Sequence, residues 1–145
     1  RYRSRLISKI MFGAYNKHIK NVRTVNDWLT RDEAVVDEYN AGKLTTFLFT
    51  VNGYRGLMNM ILYVRKPRNI ERIPKNLPML MISGLDDPVG EYGKGVYRAY
   101  NSYHGHIDDI DLRLYEDCRH ELCNELNKEE IYEEIYGWII NHMSK

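Results

Sequence analysis

Cysteine is scarce in this chain of 145 residues: Cys118 and Cys123 are its only thiols. No secretory leader stands in front of them, so they read as reduced thiols in a cytoplasmic setting rather than as a disulfide framework. Long apolar runs are missing too. None approaches the ~18 residues of a membrane-spanning helix. Charge of one sign is not in excess, with 21 basic and 20 acidic residues and a net charge of +1. That balance creates no field to draw in a nucleic acid or an acidic membrane, and no nucleic-acid partner is expected. There is no internal repeat and no low-complexity stretch. An initiator Met is also absent: the chain opens in a basic, helix-like run, Arg1-Tyr2-Arg3-Ser4-Arg5, and reads as a cut or cleaved piece.

What is present suffices for a folded unit, since 43% of the residues are hydrophobic. Helical spacing over Leu6, Ile7, Ile10, Met11, Ala14, Tyr15 and His18 predicts a first helix ending near Asn21. Thr30 precedes Glu33 by a capping-box interval, which predicts a short helix from Arg31 to about Ala41, closed by Gly42. Phe47, Val51, Tyr54, Met58 and Ile61 form a stripe at helical spacing through Val64, although Asn52-Gly53 is locally a hairpin signal. The stripe runs past the turn, so a helix is expected. Pro67 and Pro74 bracket a basic connector. Beyond it the pattern alternates: strand Met79 to Ser83, helix Lys94 to Tyr103, strand Ile110 to Tyr115, helix Lys128 to His142. In the last helix Ile131, Ile135, Trp138, Ile139 and His142 share one side. Strand, helix, strand, helix is the pattern of a parallel sheet. A sheet of two strands leaves an edge open for pairing.

Both strands run into residues that do acid-base work. Leu80-Met81-Ile82-Ser83-Gly84 leads to Asp86 and Asp87, and Leu112-Arg113-Leu114-Tyr115 leads through Glu116-Asp117-Cys118-Arg119 to His120. A serine hydrolase on an α/β scaffold carries nucleophile, acid and histidine in that chain order, each just past a strand. Here the acid and the histidine are present, but no Gly-x-Ser-x-Gly occurs. Ser4, Ser8, Ser83, Ser102 and Ser144 all lack that glycine flanking.

Three motifs carry a resemblance to a known family. They are Asn26-Asp27-Trp28-Leu29-Thr30-Arg31-Asp32; Leu77-Pro78-Met79-Leu80 running into Gly84-Leu85-Asp86-Asp87-Pro88-Val89; and Leu114-Tyr115-Glu116 running into His120-Glu121-Leu122-Cys123-Asn124-Glu125. The chain resembles the C-terminal half of an α/β-hydrolase of the serine aminopeptidase, monoacylglycerol lipase and lysophospholipase group. The resemblance implies a helical cap over residues 1–70, followed by the last two parallel strands and helices of the core over 71–145. It places the triad acid three residues after the strand-end glycine, at Asp87, with the adjacent Asp86 as the alternative, and the triad base at His120. It implies no metal and no organic cofactor. The N-terminal half of the same hydrolase, carrying the nucleophile, is the implied partner, and the substrate is a small lipid-like acyl ester. Without that half the chain is expected to be inactive.

Other constellations compete for the chemistry. His104-Gly105-His106 with Asp108 and Asp109 has the residue types of a metal site, as do Cys118, His120 and Cys123, but His-x-His alone is a weak signal and no Cys-x-x-Cys occurs. The plainer expectation is a polar connector in the first case and loosely packed thiols in the second. In the cap, Phe47, Phe49, Val51, Tyr54 and Met58 supply an apolar surface suited to an acyl chain, or simply to packing. The alternative to an ester hydrolase segment is a non-catalytic binding or assembly module that keeps the cap and the Asp-His pair and pairs its open strand edge with a second copy.

Overall fold

The computed structural model describes residues 2–143, so Arg1 and Ser144 lie outside the described residues. Four helices come first: α1 (Arg5–Phe12), α2 (Glu33–Ala41), α3 (Val51–Val64) and α4 (Pro67–Ile70). Then β1 (Met79–Gly84), α5 (Lys94–His104), β2 (Ile110–Tyr115) and α6 (Lys128–Met143) alternate, with a short 3-10 turn at Leu122–Asn124.

The first helix is shorter than its apolar spacing predicts. Ser4 caps it by accepting from the Ile7 amide, and it ends at Phe12. From Phe12 to Ile19 the chain goes on in tight turns, with amides bonding three residues back. Asn16 explains the change: its side chain donates to the Thr24 carbonyl at 2.7 Å and accepts from the Trp28 amide at 3.0 Å. Those bonds fold the segment back on itself at the expense of further helix. The cap of α2 also moves. Asp32, not Thr30, accepts from the amides of Ala34 and Val35; the Thr30 hydroxyl accepts from the Asp32 amide at 3.1 Å, outside the helix, and donates to the Asn124 carbonyl at 2.8 Å. At the next boundary the helical stripe prevails over the hairpin signal: Thr50 caps α3 through the Gly53 amide. The connector after Pro67 holds a helical turn that its prolines had hidden; Pro67 sits in the first turn, where a missing N–H costs nothing.

The strands pair in parallel, in a register that runs from Met79 opposite Ile110 to Gly84 opposite Tyr115. Their C-terminal ends are therefore level. Asp87 lies three residues beyond one end and His120 five beyond the other, so the register alone brings the two loops together. Helix α5 packs on both strands. A small core of Cys118, Leu122 and Ile131, joined by Ile82, Tyr115 and Ile135, lies beneath the His120 loop. Full burial of a side chain such as Ile131 contributes roughly 1.5–3 kcal/mol. The buried side of α6 fades toward its C-terminus, and Ile139, expected to face the core, is 42% exposed.

Candidate active site

Gly84 lets the two strand ends approach. A Cβ there would stand 2.0 Å from the Cys118 carbonyl oxygen and 2.3 Å from that of Arg119. In the space left free, the Leu85 amide donates to the Tyr115 carbonyl and the Asp86 amide to the Cys118 carbonyl, both at 2.8 Å. The loops are thus tied directly to each other. Asp87 is 5% exposed, and its Oδ1 accepts from the Val89 amide at 2.8 Å while its carbonyl accepts from the Tyr92 amide. A tight turn follows, with Glu91, Tyr92 and Gly93 at positive φ; Gly93 then caps α5.

The other oxygen, Oδ2, lies 3.1 Å from Nδ1 of His120. Asp86, the alternative acid, is exposed, and its side chain takes no part in that contact. The His120 side chain is 37% exposed, so the ring is held at Nδ1 by Asp87 and still presents part of its surface to solvent. The hydrogen bond to Asp87 raises the His120 pKa above its ordinary 6.5; burial opposes this, and the charges of Asp87 and Glu121 add to it. Burial, reinforced by the charge of Asp87, raises the Tyr15 hydroxyl too.

A chain of rings leads from the protein surface to this histidine. Phe47 and Phe49 are 5.1 Å apart between centroids, Phe49 and Tyr54 5.5 Å, Tyr54 and Phe12 6.4 Å, Phe12 and Tyr15 5.6 Å, Tyr15 and Trp28 4.9 Å, and Trp28 and His120 5.1 Å. All are within the range of favourable aromatic packing. Of the residues expected to line an acyl surface, Phe47, Phe49 and Tyr54 belong to this chain of rings. Val51 is exposed and Met58 half-buried, and both stand outside it. Spacing gives Tyr15 only as part of the first helix's apolar stripe and does not single out Phe12; Trp28 was visible only as part of the Asn26–Asp32 motif.

The segment from Asp27 to Arg31 lies along the His120 loop. His120 donates its amide to the Trp28 carbonyl at 3.4 Å and Glu121 to that of Leu29 at 2.7 Å. The Arg119 guanidinium donates to the carbonyls of Asp27 and Thr30 at 2.7 and 2.9 Å. Arg31 pairs with the fully buried Glu125 at 2.8 Å. Cys118 is not loosely packed as expected: it is fully buried, and burial pushes its thiol pKa up, whereas Cys123 is exposed.

The histidines of the connector are not gathered around a common point. His106 Nε2 contacts the Ile73 carbonyl at 2.7 Å, and His104 packs on Tyr100. Among the described residues, the histidine and carboxylate ligand atoms that do converge belong to Asp109, Asp111 and His142. Protein contacts account for them: His142 approaches Asp109 at 3.3 Å and the Trp138 carbonyl at 2.7 Å, and the Trp138 indole donates to Asp111 at 2.7 Å. They fasten the end of α6 to the start of β2. A polar cavity of about 360 Å³, lined by Tyr15, His18, Asp86, Tyr92, Asp117 and Arg119 among others, lies beside the two loops, but neither Asp87 nor His120 lines it.

Helices followed by a parallel β-α-β unit, with an acid and a histidine meeting past the strand ends, define the C-terminal part of an α/β-hydrolase. A family model described as serine aminopeptidase, S33, matches residues 2–127, and the chain belongs to that family. A highly thermostable carboxyl esterase from Bacillus coagulans, solved in complex with glycerol, is 25% identical with a TM-score of 0.79 over 98% of this chain and 46% of its own. A lipase in its open form is 19% identical with a TM-score of 0.84 over 100% of this chain and 47% of its own, a likeness of fold alone. The chain therefore spans slightly less than half the length of either structure. No curated protein matches at a significant level. No helix among the described residues is long and apolar enough to cross a membrane.

Proposed function

We propose that this chain is the cap and C-terminal catalytic segment of a serine ester hydrolase, with residues 1–70 as cap and 71–145 as core. Asp87 and His120 are its triad acid and base, and the nucleophilic serine and oxyanion-hole amides belong to the N-terminal half of the fold. The contact between Asp87 Oδ2 and His120 Nδ1 at the level ends of two adjacent parallel strands carries this reading. In the proposed cycle Nδ1–H donates to Asp87 and Nε2 removes the serine proton as the serine oxygen attacks the ester carbonyl. The same proton then goes to the departing alcohol, leaving an acyl-enzyme that water cleaves by the reverse sequence.

The chain of rings from Phe47 to Trp28 supports an apolar acyl group, and hence a carboxylic ester of monoacylglycerol or lysophospholipid type, as substrate. Two further observations support a missing half. Among the described residues β1 pairs only with β2, whereas the continuous apolar run Met79-Leu80-Met81-Ile82 is that of a strand inside a larger parallel sheet. Large apolar side chains, Leu6, Ile10, Met60 and Leu62 among them, stand exposed. Free thiols at Cys118 and Cys123 fit a cytoplasmic setting.

The same open edge favours one other reading: a second copy pairing on β1 in a non-catalytic assembly. Intact-mass analysis after treatment with a fluorophosphonate probe separates the two. A labelled N-terminal portion beside an unlabelled segment 1–145 is the expected result. Label within residues 1–145 overturns the assignment of the nucleophile, and a symmetric dimer without any label points to the assembly module.

The pH dependence tests the state of His120. Only the neutral imidazole can take the serine proton, so kcat/KM is expected to rise with pH through a midpoint above the ordinary 6.5. Asp87→Asn removes the interaction that raises the midpoint and is expected to lower it. A wild-type midpoint below 6.5, or an unmoved one in the variant, counts against the assignment.

A further inference from the structure

Glu125 is a charge with no exposed surface, and it accepts from four donors. Oε1 takes the Arg119 amide at 2.8 Å and the Arg31 amide at 3.3 Å; Oε2 takes Arg31 Nε at 2.8 Å and the Leu126 amide at 3.3 Å. Arg119 immediately precedes His120. Arg31 closes the segment whose carbonyls receive the His120 and Glu121 amides, and its Nη2 also reaches Asn127 Oδ1 at 2.7 Å. The carboxylate therefore joins both strips of chain that flank the imidazole.

A buried ion pair is weak evidence for stability, because desolvating both charges offsets most of their attraction. An apolar pair of the same volume could fill the space. It could not, however, hold backbone amides on both oxygens in fixed directions. What the carboxylate adds is geometry, and the geometry it fixes is that of the residue next to His120.

We propose that Glu125, held by Arg31, is a positioning residue for His120: it sets the loop so that the imidazole stays on Asp87 and presents its other nitrogen to the nucleophile. The inference rests on the proposed ester hydrolysis. Glu125→Gln keeps the volume but leaves one acceptor oxygen for donors on two sides. Arg31→Lys keeps the charge but loses the planar fork that serves Glu125 and Asn127 together.

In the complete hydrolase, assayed with a soluble p-nitrophenyl ester well below the unfolding temperature, Glu125→Gln is expected to lower kcat by about a hundredfold. KM should stay within about twofold, the pattern of a lost transition-state interaction. The pH midpoint of kcat/KM should move down as the bond to Asp87 loosens. Arg31→Lys should show the same pattern at about a tenfold loss of kcat. A purely structural role predicts a lower unfolding temperature with kcat per folded molecule and pH midpoint unchanged, and that result in either variant overturns the proposal. Failure of both variants to fold assigns the pair to stability and overturns it as well. His120→Ala separates the two levels of inference: if it stays active the ester hydrolase reading fails, and if it alone is inactive only the positioning role fails.

Discussion

Replacing His120 by Ala is expected to lower kcat for ester hydrolysis by roughly ten-thousandfold or more in the complete enzyme, and Asp87→Asn by about ten-thousandfold, while both proteins stay folded. The second substitution is the more telling. Asp87 has two duties: Oδ1 accepts from the Val89 amide and Oδ2 faces His120 Nδ1. An asparagine can keep the first with its carbonyl oxygen, so the turn into Pro88 survives. Its amide nitrogen then faces Nδ1 and donates, which forces the ring proton onto Nε2. A ring in that tautomer cannot accept the serine proton. Activity should fall with little change in KM or in the unfolding transition. Asp86→Asn is the control, because that side chain is exposed and outside the pair, and its kcat should stay within about twofold. Wild-type turnover from Asp87→Asn would sink the dyad, and a large loss from Asp86→Asn would move the acid by one position.

Strand ends, and the residues just past them, were legible in the sequence because local signals there agree with the tertiary structure. A short apolar run bounded by Pro78 and Gly84 defines β1, and the second strand lies where the pattern puts it, at Ile110 to Tyr115. The acid and the histidine follow from those ends and from the chain order of a triad. The choice between Asp86 and Asp87 rested on resemblance, and burial separates them physically. Contacts between distant segments were not legible. Thr30 has the spacing of a helix cap, yet its hydroxyl bonds the carbonyl of Asn124, 94 residues away. Arg31 and Glu125 are separated by the same interval. Periodicity and capping rules look a few residues along the chain and cannot see such partners. The ring chain was hidden for the same reason, since Phe12, Tyr54 and Trp28 lie on different elements and meet only after folding.

Gly84 shows how a single hydrogen atom sets up the approach of Asp87 to His120. Gly84→Ala is expected to destabilise the protein by about 3 kcal/mol, since the new methyl group meets two backbone carbonyls that cannot rotate away. A flexible side chain could yield by changing rotamer. The Cys118 and Arg119 carbonyls cannot, because the buried Cys118 side chain and the bonds of Arg119 to Asp27, Thr30 and Glu125 hold that segment. Relief must come from parting the two loops, which stretches the bonds of Leu85 to Tyr115 and of Asp86 to Cys118. Asp87 and His120 sit at the tips of the parted loops, so activity should fall together with stability. A displacement of roughly 1 Å at the acid is enough for about a hundredfold loss. Denaturant titration of the complete protein measures the first effect and ester turnover the second. Gly56→Ala and Gly137→Ala are the matched controls: both glycines lie inside helices, in α3 and α6, with nothing within 4 Å of an added Cβ. Each should stabilise by up to about 1 kcal/mol through helix propensity and leave turnover unchanged. If Gly84→Ala unfolds at the wild-type denaturant concentration, the close approach of the two strand ends is not what holds the acid against the histidine.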